Sequence, residues 1–178
     1  YVSEARRLGL TILPPDVSLS SIRWSGQGKC VRVGLQAIGD LSAATQARIV
    51  AARRQPFANP TDFFDRVRPD EAEARALIRC GALDSLNSGN SRAALIWTLA
   101  SWRKKRMAKA TARNGLLFGD DRHLDRPPPL PPDEERERLR REFAVLGFLC
   151  DRHPITLFAD AIAALDTVKA VDLPRHLG

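Results

Sequence analysis

Side chains that bind metals or do redox chemistry are scarce in this 178-residue chain, which holds three cysteines and three histidines. Cys30, Cys80 and Cys150 lie far apart and form no CxxC pair, and the histidines do not cluster, so no structural zinc site is expected. A sparse, odd cysteine count fits a reducing compartment and leads us to expect a cytoplasmic protein. No apolar run is long enough to span a bilayer and no signal-peptide pattern is visible, so no membrane partner is expected. A catalytic constellation is missing too. His153-Pro154 has no nucleophile or carboxylate arranged beside it and reads as a turn with a capped histidine. Glu134-Glu135 reads as a solvated helix start rather than a general acid/base pair. No metal or cofactor is implied. The single methionine is Met107, and Tyr1 stands in mid-pattern, as in a piece of a longer polypeptide.

What the chain has is positive charge. Lys and Arg number 28 against 21 Asp and Glu, giving a formal net charge of +7 and a pI near 10.0. Such a surplus points to a polyanionic partner, although a merely basic soluble domain would look the same by composition. Hydrophobic residues make up 44%, enough for a real core.

The patterning is mainly α. Residues 1–34 read as irregular, with a helix end stopped at Gly9, a Pro14-Pro15-Asp16 turn and a short strand over 29–33. Leu35, Ile38, Leu41, Ala44, Ile49 and Ala52 fall near helical spacing, broken at Gly39-Asp40, which predicts two helices joined by a tight turn. Asn59-Pro60-Thr61-Asp62 predicts an N-cap with proline just inside the next helix, whose apolar face is Phe63, Phe64 and Val67. Further helices are predicted over 71–79, stopped by Gly81, and from Ser91 to about Lys109. Residues 119–132 are polar and proline-rich, a linker. A charged helix follows over 133–146 with Leu139, Phe143 and Leu146 on one face, then a shorter one over 156–165.

Gly34-Leu35-Gln36-Ala37-Ile38-Gly39-Asp40-Leu41-Ser42, leading into a helix through Ile49 and Arg53, resembles a helix-hairpin-helix, and an ordinary helical hairpin with a glycine turn has the same pattern. In that motif the turn N–H groups and the next helix N-terminus face a phosphate without reading sequence. Its surroundings carry more: Leu13-Pro14-Pro15-Asp16-Val17, Arg32-Val33-Gly34-Leu35, Ile49-Val50-Ala51-Ala52-Arg53, Pro56-Phe57, Asp62-Phe63, Leu77-Ile78-Arg79-Cys80-Gly81-Ala82-Leu83-Asp84-Ser85-Leu86, Asn90-Ser91-Arg92-Ala93-Ala94-Leu95, Leu146-Gly147-Phe148 and His153-Pro154. In this order they resemble the alpha subunit of bacterial C-family DNA polymerase III, or its error-prone paralogue, over essentially the whole chain.

The resemblance implies an end of the fingers over 1–34, a tandem helix-hairpin-helix domain over 35–113, a clamp-peptide-like segment and linker over 114–132, and a C-terminal helical segment over 133–178 leading toward an OB-fold. It implies a segment that holds primer-template duplex behind an active site whose carboxylates lie elsewhere in the parent polymerase, a nucleotidyltransferase acting in DNA replication. DNA contacts are expected at Gly39, Leu41, Ser42, Arg48, Arg53 and Arg54, with Lys104 and Lys105 of the basic run 103–113 as a secondary patch. Asp40 and Ser42 stand where the family usually has glycines. The second hairpin, expected between Val67 and Ala76, carries Asp70, Glu71 and Glu73 where relatives tend to be basic, which predicts a structural role. Asn114, Leu117 and Phe118 match the position of the family's sliding-clamp peptide, with Asn114 in place of glutamine; folding back onto this domain is the other reading of Leu117 and Phe118. The rival to DNA binding is a protein-interaction module that tethers the clamp.

Overall fold

The structure, a computed structural model, describes residues 1–87, 89, 91–112, 130, 133–165, 167, 168, 171 and 172, with the side chains of 109–112 left aside. The architecture is mainly α, as the periodicity predicts.

Helix α1 (Val2–Arg7) ends at Leu8, and the chain then builds a small sheet rather than the irregular stretch with one strand that the sequence suggests. Strands β1 (Thr11–Leu13), β2 (Ser25–Gln27) and β3 (Cys30–Arg32) lie in the order β1-β3-β2. β3 runs parallel to β1, with Val31 opposite Ile12, and antiparallel to β2, with Val31 opposite Gly26. The two outer strands give little sequence signal, because each has three residues and Ser-Gly-Gln has low strand propensity.

A second correction concerns the helix expected before Gly39. Only a single 3-10 turn forms there, over Leu35–Ala37. The N–H groups of Leu35 and Gln36 are already bonded to the carbonyls of Ser21 and Ile22. That leaves this segment tied to the loop after Ser20 rather than free to wind further.

The helical core follows. Helix α2 (Ala43–Ala52) is capped by Ser42, and α3 (Pro60–Val67) by Asn59, whose side chain accepts the Asp62 N–H at 3.0 Å. α4 (Glu71–Arg79) begins in a capping box formed by Asp70 and Glu73. The long helix α5 (Arg92–Ala112) lies against α3 and α4. Phe63, Phe64, Val67, Leu77, Ile78, Leu83 and Leu95 are fully buried between these helices. Each large apolar side chain contributes about 1.5–3 kcal/mol by burial. Phe57, Phe63 and Phe64 stack edge to face at 5.2 and 5.6 Å, and Trp102 of α5 closes the row, donating its indole N–H to Asp65 at 2.7 Å.

Gly81 stops α4 with φ of 81°. A Cβ there would lie 2.2 Å from Nη2 of Arg92. Arg92 is buried, donates to Asp84 at 2.7 Å and to the Arg79 carbonyl at 2.9 Å, and so ties the start of α5 to the end of α4.

The C-terminal part packs back on this core. In α6 (Glu135–Leu146), Leu139 joins Leu149 and Leu157 in a small cluster with Phe143, while Leu146 and Cys150 enter the main core. Buried Glu142 accepts the Cys150 N–H at 2.8 Å. His153 caps a 3-10 turn over Pro154–Phe158, its Nδ1 accepting the Ile155 N–H at 3.2 Å, and α7 (Ala159–Ala163) stops two residues short of the expected Leu165. The cysteines are free thiols; Cys80 and Cys150 are buried and Cys30 is partly exposed. Burial pushes the Cys80 thiol up to about 12 and raises that of Cys150 as well. Among the described residues no helix is long and apolar enough to cross a membrane, and no cluster of three or more His, Cys, Asp or Glu is placed to hold a metal ion.

Candidate nucleic-acid interface

Two turns face the N-termini of two helices. The first, Ile38–Leu41, leads into α2, and the second, Arg68–Asp70, joins α3 to α4. Asp40 (φ 61°) and Arg68 (φ 51°) both hold the left-handed conformation, and they are the positive-φ residues other than glycine among those described. An aspartate tolerates that region better than most residues, whereas arginine before proline is held there by its surroundings.

The N–H groups of Ile38, Gly39 and Leu41 in the first turn, and of Ser42 after it, are engaged inside the chain. Gly39 donates to the Val145 carbonyl of α6 at 3.1 Å, so close that a Cβ at Gly39 would sit 3.0 Å from that oxygen. Leu41 donates weakly to Ile38 at 3.4 Å and its side chain is in the core. Ser42 donates its N–H to Oε1 of Glu73 at 3.2 Å and its hydroxyl to the same atom at 2.5 Å. Thr45 adds its hydroxyl at 2.6 Å. A carboxylate of the second hairpin therefore fills the anion position at the α2 N-terminus, where a phosphate was expected. Burial pushes the Glu73 carboxyl up, but the hydrogen bonds from Ser42, Thr45 and the Asp70 N–H outweigh it, and the net effect lies below the ordinary carboxylate value.

Arginines gather around the second turn. Arg48 of α2 donates from Nε to the Val67 carbonyl at 2.9 Å and from Nη2 to Thr45 at 2.6 Å, and lies 4.0 Å from Glu73. Its side chain remains 47% exposed, so N–H groups are left for a ligand. Arg68 stands exposed on the turn itself, donating to the Asp65 carbonyl at 3.2 Å. Arg103 of α5 pairs with Glu71, the first residue of α4. Lys104 lines a groove of about 520 Å³ together with Glu71, Arg75, Arg103 and Met107.

The expected DNA contacts thus divide. Gly39, Leu41, Ser42 and Arg48 are brought to the turns, and Lys104 to the adjoining groove. Lys105 is partly buried on α5. Arg53 and Arg54 lie past the other end of the ten-residue α2, roughly 15 Å away. Arg53 is spent on the Ser20 carbonyl at 2.5 Å, and Arg54 is exposed. Asn114, Leu117, Phe118 and most of the proline-rich linker fall outside the described residues. Sequence reasoning passed over Arg68, because neighbouring Asp70, Glu71 and Glu73 make the segment look acidic. Glu73 was read only as one of three acidic residues giving the second hairpin a structural role; the Asp70-x-x-Glu73 spacing was a readable capping-box signal, but the bond to Ser42 was not readable.

A family model described as a helix-hairpin-helix motif matches residues 9–95. An error-prone DNA polymerase of Aromatoleum aromaticum is 32% identical over 97% of this chain and 16% of its own length. The DNA polymerase III subunit alpha of Mycobacterium leprae is 29% identical over 92% of this chain and 15% of its own length. That of Thermus aquaticus is 29% identical over 87% of this chain and 13% of its own length. The chain thus spans about a sixth or less of these relatives. With the motif falling on the two turns described above, the chain belongs, as a helix-hairpin-helix segment, to the family of bacterial DNA polymerase III alpha subunits and error-prone DNA polymerases.

Proposed function

We propose that this segment binds primer-template duplex without reading its sequence, holding the phosphate backbone for a replicative or error-prone polymerase whose other domains add the deoxynucleotides. One observation carries the reading: Arg48 from α2, Arg68 from the second turn and Arg103 from α5 converge on the stretch between Val67 and Glu71. Because the N–H groups of Gly39, Leu41 and Ser42 are engaged internally, the grip falls to guanidinium and ammonium groups. Cations held by a fold near one turn neutralise phosphates and release counterions, which gives affinity that is steeply salt-dependent and indifferent to sequence. In this proposal Asn114, Leu117 and Phe118 tether the sliding clamp, and the remaining polymerase domains are the other partners.

A second reading has support of its own. Asp40, Asp70, Glu71 and Glu73 share the same two turns and the helix starts after them, and acidic turns with the N–H groups of Gly39, Leu41, Ser42 and Asp70 occupied suit a protein-interaction module with little DNA affinity.

Fluorescence anisotropy of a labelled duplex across a salt series separates the two. The DNA reading expects binding that weakens steeply with salt, a loss on changing Arg68→Gly with Lys104→Ala, and a smaller loss on changing Arg53→Ala with Arg54→Ala. A folded sample that does not bind at low salt removes the DNA reading and leaves the interaction module.

A further inference from the structure

We propose that Glu73 is a positioning residue that locks the two hairpin turns together, so that they meet one duplex backbone as a unit; the inference rests on the DNA-binding reading above. Glu73 is 4% exposed and its carboxylate is shared between the hairpins. Oε1 receives the Ser42 N–H at 3.2 Å, the Ser42 hydroxyl at 2.5 Å and the Thr45 hydroxyl at 2.6 Å, all from the first hairpin. Oε2 receives the Asp70 N–H of the second hairpin at 2.9 Å. Arg48 stands 4.0 Å away and reaches on to the Val67 carbonyl at the end of α3. The same carboxylate therefore caps α2 and α4 at once, and the cation beside it bonds the helix that precedes the second turn.

The backbone shows why such a lock matters. Both turns contain a residue other than glycine in the left-handed region, Asp40 and Arg68. Conformations of that kind persist only where the surroundings over-determine them. Arg68 can present its charge beside Arg48 only while the second turn keeps this shape and this distance from α2. A carboxylate is suited to the task, because charge-assisted hydrogen bonds are shorter and stronger than neutral ones and one anion complements two helix N-termini.

The test uses the 178-residue chain with Glu73→Gln, which keeps the shape and loses the charge, and Thr45→Val, which removes one arm of the network. Folding is checked by circular dichroism at low temperature. Duplex binding is then followed by anisotropy across a salt series, with Arg68→Gly made in each background. The expected result is several-fold weaker binding by Glu73→Gln, a salt slope reduced by about 1, and an Arg68→Gly effect much smaller than in the parent chain. Thr45→Val shifts in the same direction by less, and it decides the matter if Glu73→Gln does not fold. A merely stabilising Glu73 lowers the melting temperature but leaves the salt slope and the full Arg68→Gly effect intact in the folded variants, which overturns the proposal alone. Absence of duplex binding by the folded parent chain at low salt overturns both this proposal and the DNA reading.

Discussion

Arg48 of α2 donates to the last carbonyl of α3, and Arg66 of α3 donates to the last carbonyl of α2. Each helix thus ends on a guanidinium supplied by the other, where the unsatisfied carbonyls and the helix dipole both favour a cation. Arg66 also bonds the Gln55 carbonyl at 2.7 Å, pairs with Asp62 at 3.0 Å and lies over the Phe57 ring at 4.7 Å. The exchange joins the two hairpins, and it makes Arg48 part of the frame as well as part of the proposed surface.

Replacing Arg66 by alanine is therefore expected to cost about 1.5–3 kcal/mol, the range for hydrogen bonds to charged groups. Exposed Arg54 has no such ties among the described residues, and Arg54→Ala is expected to stay within about 0.5 kcal/mol. Urea unfolding of the two variants checks the contrast, and equal midpoints would contradict it.

Asp40 places a negative charge on the first turn while holding φ of 61°. Asparagine favours the same backbone region, so Asp40→Asn removes the charge with little strain. Duplex affinity is expected to rise several-fold at low salt with an unchanged melting temperature. Unchanged or weaker affinity would place the duplex away from this turn.

The carboxyl of Glu73 lies below its ordinary value of 4.5 in the folded chain. The folded chain thus binds fewer protons than the unfolded one through this window, and stability rises with pH there. The contribution is complete above 4.5 and is lost as pH falls through the folded-state value. Thermal melts are expected to show Glu73→Gln less stable than the parent near neutral pH, with the gap closing on acidification. A gap that is constant with pH would assign the effect to shape rather than charge.

Gly81→Ala combines a left-handed φ of 81° with a Cβ placed 2.2 Å from Arg92. The guanidinium would have to leave Asp84 or the Arg79 carbonyl, so a loss of at least about 2 kcal/mol is expected. Chemical denaturation measures it. A loss below about 0.5 kcal/mol would mean that the α4–α5 junction re-forms without that contact.

Helix α4 was legible because its stop signal is local: Gly81 stands just past its last residue, in the left-handed conformation that ends a helix. The α3 cap was legible from Asn59 and Pro60 for the same reason. β1 and β2 were not, since three-residue strands owe their existence to pairing with β3 rather than to composition. The site was half legible. Arg48 and Ser42 stood out by their place in the first hairpin, but their partners Val67 and Glu73 are 19 and 31 residues further along the chain. Sequence spacing could not reveal that the expected phosphate position is filled by a side chain of the neighbouring hairpin.

The cysteines make the segment convenient to watch. Cys80 and Cys150 are buried with thiols held protonated, while Cys30 is partly exposed on β3. Thiol-directed dyes attack thiolates they can reach, so brief labelling of the native chain should mark Cys30 alone. The tag would sit on the small sheet, off both turns, and would report the tumbling of the segment without covering the surface whose grip is in question.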